Sequence, residues 1–237
     1  MRRNDVKDSL IVALDTDVHT TLSIAHSLQG RVRWLKVGMT LYYLEGPKIV
    51  ATLHEMGFNI FLDLKLHDIP HQVEGAARSV ASLGVGMMTV HAAGGQAMME
   101  AAVQGARDGS AECGTIAPDI LAVTVLTSMD EDVLASVGVG QSVSTQVDEL
   151  THLARKAGVQ GVVCSPKEAA RARTIMGPEA LVVTPGVRPS WASTDDQARV
   201  ATPAQAIESG ASHLVVGRPI TGAEEPSSAA MQILEEM

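Results

Sequence analysis

Eight short runs of apolar and β-branched residues recur along this chain: SLIVALD, WLKVGM, NIFLDLKLH, MMTVHAA, DILAVTVLTS, GVVCSP, LVVTPGV and HLVVGRPI. Each has the length and composition of a strand buried on both faces. Between them, residues 17–30, 44–57, 70–84, 94–108, 142–158, 167–177 and 201–210 carry helical periodicity, and several of these segments close on a glycine, at Gly30, Gly57, Gly84, Gly158 and Gly210. Strand and helix thus alternate, the pattern of βαβ repetition. Eight such units in 237 residues predict a closed (β/α)8 TIM barrel, one α/β domain over residues 1–237, rather than an open doubly wound sheet, and no GxGxxG follows the first run. A barrel places its site at the C-terminal ends of its strands. The polar stretch from Arg188 to Arg199 is the longest without periodicity after a strand, and at that end of a barrel such a loop predicts a lid or a phosphate clamp.

The third run, FLDLKLHDIP, carries charge where a strand should be apolar. Side chains alternate along a strand, so Leu62, Leu64 and Leu66 share one face and Asp63, Lys65 and His67 the other. With the leucines beneath the helices, a carboxylate and an ammonium point into the barrel mouth, and neither is cheap to bury alone. Asp15 ends the first run and Lys36 lies within the second, at the same end of the sheet. A lone Asp–Lys pair would read as a solvated rim ion pair; four alternating charges on three successive strands read as a network built for chemistry. Asp68 has the opposite parity, sits where the strand ends before Pro70, and is free to project toward a neighbouring subunit.

At these residues the chain resembles a known family. DLKLHDIP matches the DxKxxDI signature of the orotidine monophosphate decarboxylases, through Asp63, Lys65 and Asp68. ALD at Ala13 to Asp15, LKVG at Leu35 to Gly38, VHAAGG at Val90 to Gly95, VTVLTSM at Val123 to Met129, VTPGVRP at Val183 to Pro189 and VVGRPIT at Val215 to Thr221 follow in family order. The resemblance implies a homodimeric lyase that needs no cofactor and no metal and converts orotidine monophosphate (OMP) to uridine monophosphate (UMP) and carbon dioxide in pyrimidine biosynthesis. It implies that Lys65 donates the proton replacing the carboxylate at C6, assisted by Asp63 and by Asp68 of the partner subunit. Asp15 and Lys36 would hold ribose hydroxyls, with Lys36 completing the charge network. Thr127 would meet the pyrimidine edge, and Arg188, Gln197, Gly217 and Arg218 would close on the phosphate. One departure stands out: the family commonly has Asn-Thr after DIP, where this chain has His71 and Gln72, and Gln72 is kept as a substrate-binding candidate for its hydrogen-bonding capacity.

Composition narrows the alternatives. With 18 basic against 27 acidic residues the formal charge is −9, which repels nucleic acid and anionic membrane, so any phosphate must be gripped locally. Cys113 and Cys164 form no CxxC pair and suit a reducing compartment. The run Leu10 to Leu14 is too short for a signal-peptide core and no stretch approaches a transmembrane span, so the chain reads as soluble and cytoplasmic. His67 and His71 are separated by Pro70 and lack a third ligand, which argues against zinc. His91 reads as a hydrogen-bonded core histidine, and Met87, Met88, Met98 and Met99 as core fillers. The nearest rival, a magnesium-dependent decarboxylase or aldolase acting on a 3-keto sugar phosphate, shares DxKxxD but calls for a metal-binding carboxylate near the second strand, where this chain has Lys36. A catalytically silent barrel would not be expected to keep both Asp63 and Lys65.

Overall fold

Strand pairing follows chain order around a full circle. In the computed structural model, which describes residues 8–191 and 201–237, β1 (Leu10–Ala13), β2 (Trp34–Gly38), β3 (Asn59–Leu66), β4 (Met87–His91), β5 (Asp119–Val123), β6 (Gly161–Val163), β7 (Leu181–Thr184) and β8 (His213–Val216) close a parallel barrel, with β8 pairing back onto β1. All eight strand runs lie where the sequence predicts them.

Period-2 alternation sorts the strand residues into two cores. Leu10, Val12, Leu35, Val37, Ile60, Leu62, Met88 and Val90 face outward into a large apolar layer under the helices. Ile11, Ala13, Phe61, Met87, Leu121, Val183 and Val215 face inward and form a second, smaller cluster that fills the barrel. Met87, Met88, Met98 and Met99 are all buried, as expected of core fillers. The N-terminal end is plugged by Trp34, whose indole meets the His213 ring edge-on at 6.2 Å. Gly86 makes room for that plug, since a Cβ there would stand 2.6 Å from the Trp34 Cη2 atom.

The helices follow the predicted segments closely: α1 (Val18–Leu28), α3 (Pro47–Glu55), α4 (Pro70–Ala81), α5 (Gln96–Cys113), α7 (Val143–Lys156), α8 (Ala169–Met176) and α9 (Pro203–Glu208). Helices α2 (Met39–Glu45), α6 (Glu131–Ser136), α10 (Arg218–Thr221) and α11 (Pro226–Glu235) lie largely or wholly outside those segments. The first three span at most two turns, too short for a 3.6-residue period to show. Helix α11 opens with Pro226 at its first turn and buries Ala229, Ala230, Ile233 and Leu234, so large apolar residues enter its core face only in its last turn. Among the described residues, no helix is long and apolar enough to cross a membrane.

Helices α4 and α5 pack closest of all. A Cβ on Gly105 would lie 2.1 Å from the Glu74 carbonyl oxygen, and one on Gly109 2.3 Å from that of Arg78. Two glycines four residues apart share one helix face, so together they let the two backbones touch. Arg78 then spans the seam to Asp108 at 3.0 Å.

Candidate active site

The inward positions at the C-terminal end of the barrel change from apolar to charged. Along β2 the inward residues run Trp34, Lys36, Gly38, and Gly38 stands directly opposite Asp63 in the β2–β3 ladder. With no side chain at Gly38, the Lys36 ammonium rises into that gap. It lies 3.0 Å from Asp15 Oδ1 and 3.5 Å from Asp63 Oδ2, and Asp63 Oδ2 in turn lies 2.8 Å from the Lys65 ammonium. The result is a continuous row of alternating charge, Asp15, Lys36, Asp63, Lys65. Its centre is the most enclosed part: the Lys36 and Asp63 side chains are 10% and 12% exposed, those of Lys65 and Asp15 25% and 59%.

Strand β3 is not regular here. Leu62 pairs with Met88 and Leu66 with Val90, so four residues of β3 advance against two of β4. This is an enlarged β-bulge. Lys65 takes the extra turn with φ of 53°, the one non-glycine residue at positive φ among the described residues. That conformation costs an L-residue about 1–2 kcal/mol. The Thr89 hydroxyl spans the bulge: it accepts from the Lys65 backbone N–H at 2.8 Å and donates to Asp63 Oδ1 at 3.0 Å.

Burial would push the Asp63 carboxyl up, but Lys36, Lys65 and the hydrogen bonds from Lys65 and Thr89 outweigh it and hold the group below the usual carboxylate range. Asp63 is therefore an anion at neutral pH, fixed between two cations.

A cavity of about 460 Å3 opens above this row, within the range of roughly 300–1,000 Å3 typical of small-molecule sites. Asp15, Lys36, Asp63, Lys65, Thr127, Arg188, Gly217 and Arg218, all marked in the sequence, line it together. The guanidinium groups come from the ends of β7 and β8, where barrel enzymes frequently bind phosphate. Arg188 is 8% exposed and donates to the Val187 carbonyl, while Gly186, at φ of 81°, turns the chain ahead of it. Val187 and Ala201 form a parallel bridge, and Arg188 N donates to the Ala201 carbonyl at 3.0 Å.

Other expected site residues stand apart. Asp68 and Gln72 are exposed and do not line the cavity; Asp68 Oδ1 accepts from the Ile69 N–H at 2.6 Å, and Gln72 lies in the first turn of α4. Gln197, and most of the Arg188 to Arg199 loop, lie outside the described residues. Leu64 and Leu66 keep to the outer core and Asp63 and Lys65 to the cavity, as alternation predicts, but His67, one residue past the end of β3, is exposed and does not line the cavity, and its ring packs 5.4 Å from that of His91. His91 is half-buried, and burial, with His67 and Lys65 nearby, lowers its basicity.

The cavity also holds residues that sequence reasoning passed over. Phe61, Val123, Val163 and Val215 give it an apolar floor, and Cys164 lines it from the end of β6. Burial pushes the Cys164 thiol far up, which keeps it protonated and unreactive. The floor residues are ordinary strand residues in composition; only the closed barrel shows which of them point inward at the right level. Among the described residues, no three His, Cys, Asp or Glu side chains cluster as metal ligands.

Comparison with known proteins agrees with this geometry. The profile of the orotidine 5'-phosphate decarboxylase / HUMPS family matches residues 8–233. A protein of Heliobacterium modesticaldum named orotidine 5'-phosphate decarboxylase is 50% identical over 235 residues, covering 98% of this chain and 97% of its own. A protein of the same name from Moorella thermoacetica is 46% identical over 239 residues, covering 100% of this chain and 95% of its own. The crystal structure of orotidine 5'-phosphate decarboxylase from Lactobacillus acidophilus superposes with a TM-score of 0.86 at 39% identity, covering 97% of this chain and 98% of that one.

Proposed function

This chain belongs to the orotidine 5'-phosphate decarboxylase / HUMPS family, and on that premise we propose that it decarboxylates OMP to UMP and carbon dioxide, with Lys65 as the proton donor. The observation that carries the reading is the row Asp15, Lys36, Asp63, Lys65 lying in one cavity with Arg188 and Arg218.

Loss of carbon dioxide from C6 of the pyrimidine leaves an electron pair that the ring does not delocalise, so positive charge has to be in place before the bond breaks. The Lys65 ammonium supplies it, held against Asp63 at 2.8 Å, and its proton forms the new C6–H bond. Asp63 stands beside the departing carboxylate. Two unit charges about 4 Å apart at an effective dielectric of about 20 repel by roughly 4 kcal/mol, and that repulsion falls as carbon dioxide leaves. Lys36 keeps Asp63 ionised and, with Asp15, takes the ribose hydroxyls. Thr127 reads the pyrimidine edge, and Arg188, Gln197, Gly217 and Arg218 hold the phosphate, a dianion suited to guanidinium forks.

Asp68 and Gln72 act in the site of a partner subunit. Two features support this. Both residues are exposed outside their own cavity. Exposed apolar residues, Met39, Tyr43 and Leu44 on α2 and Ile69 ahead of α4, follow the paired strands β2 and β3 and so share one side of the barrel's C-terminal rim. Such a patch needs a cover, and a second copy brings Asp68 with it.

The rival within the family is a magnesium-dependent enzyme acting on a 3-keto sugar phosphate. Chelator-treated protein should consume OMP, followed by its ultraviolet absorbance, and release UMP. Inertness toward OMP, with turnover of a 3-keto sugar phosphate once magnesium is added, would transfer the chain to the rival.

A further inference from the structure

We infer that Thr89 is a positioning residue of the site: its hydroxyl locks the bulge of β3 in the one geometry that presents the Lys65 ammonium to substrate. The inference rests on the decarboxylase reading above for its kinetic consequence, and on the geometry of β3 and β4 for its structural one.

Thr89 occupies the single β4 position between Met88 and Val90, whose partners on β3 are Leu62 and Leu66. It therefore faces the whole bulged segment Asp63, Leu64, Lys65. In a regular strand Lys65 would share the parity of Asn59, whose N–H bonds Arg33 on the β2 side; here the bulge turns the Lys65 N–H to β4, where it bonds the Thr89 Oγ1 atom at 2.8 Å. The hydroxyl has one proton, and that proton goes to Asp63 Oδ1 at 3.0 Å. Thr89 is fully buried, so both bonds are made without competition from water. One oxygen thus fixes two things at once: the backbone of Lys65 at φ of 53°, and the rotation of the Asp63 carboxylate that leaves Oδ2 to the two lysines. Neither valine nor alanine can do this. Serine can.

Asp63 is faced by Lys36 from β2, by Lys65 on its own strand, and by Thr89 and His91 from β4, with Asp15 of the β1 end beyond Lys36. Thr89 is the neutral donor in that set, so its loss favours the protonated carboxyl.

The test compares the unmodified chain with Thr89→Val and Thr89→Ser, with Thr89→Ala standing in if the valine chain does not fold. Two readouts are taken. Deuterium exchange at the Lys65 amide needs no substrate: it should quicken by about tenfold or more in the valine chain and stay near the unmodified rate in the serine chain. In OMP turnover, the valine chain should lose roughly 10- to 100-fold in kcat, the scale of a hydrogen bond to a charged group, with KM changed by less than about threefold. Its acid limb should move to higher pH, and serine should restore both. Equal Lys65 amide protection in all three chains, or a valine chain with kcat within about twofold of the unmodified chain and the same acid limb, overturns the inference. So does a serine chain as impaired as the valine one. An unmodified chain that never turns over OMP counts against the decarboxylase reading alone, because the exchange readout still decides the role of Thr89.

Discussion

A missing side chain shapes the charged row as much as the charges do. At Gly38 a Cβ would stand 2.6 Å from Asp15 Oδ1 and 3.0 Å from Lys36 Nζ, so the Asp15–Lys36 pair exists because nothing occupies that point. Gly38→Ala should part the pair and raise KM for OMP by on the order of tenfold while the barrel stays folded, as steady-state kinetics beside a melting curve would show. At the other end of the barrel, burial and the nearby Arg173 push the His213 imidazole from 6.5 down to about 4. A histidine with a depressed folded pKa contributes stability that is full above its unfolded pKa and is lost as pH falls through the folded one, here from 6.5 to about 4. Denaturant titrations across that window should show a loss of about 3 kcal/mol from this group, which His213→Gln removes, flattening the slope. Of these residues, the charged ones were legible in the sequence because charge in an apolar run is conspicuous. Gly38 and Thr89 were not, since a glycine or threonine in a strand has many ordinary reasons to be there, and only the register of neighbouring strands gives these two their roles.

Among the elements, β3 and the α4–α5 pair matter most to the site. Strand β3 carries Asp63 and Lys65, and helix α4 begins four residues after its end, two beyond Asp68, so the seating of α4 bears on where the end of β3 points. That seating depends on Gly105 and Gly109. Gly105→Ala drives a methyl against the Glu74 carbonyl and should destabilise the fold by about 1–3 kcal/mol, the usual scale for overpacking, as measured by chemical denaturation. The ion pairs of Arg78 across the same seam are 43% exposed on the arginine side and should contribute little by comparison. Element order and strand location followed from periodicity alone. The bulge did not, because alternation of faces survives it: Leu64 and Leu66 stay on the outer core and Lys65 in the cavity, and only the pairing with β4 reveals the two extra residues.

For the whole molecule, the closed barrel brings the ends of β1, β2 and β3 beside those of β7 and β8, so the charged row and the two guanidinium groups share one cavity although they come from opposite ends of the chain. If Asp68 completes a neighbour's site, mixing Lys65→Ala with Asp68→Ala protein should regenerate some intact sites in the hybrid dimer. Recovery of activity after subunit exchange is the expected outcome; none, despite verified exchange, would place Asp68 outside the chemistry. If the Lys65 ammonium, held by Asp63, supplies the proton to C6, then chelator-treated protein should turn over OMP rapidly and Lys65→Ala should lose about 1,000-fold or more in kcat. A folded Lys65→Ala chain that keeps kcat within about tenfold of the unmodified one would mean that the proton comes from elsewhere.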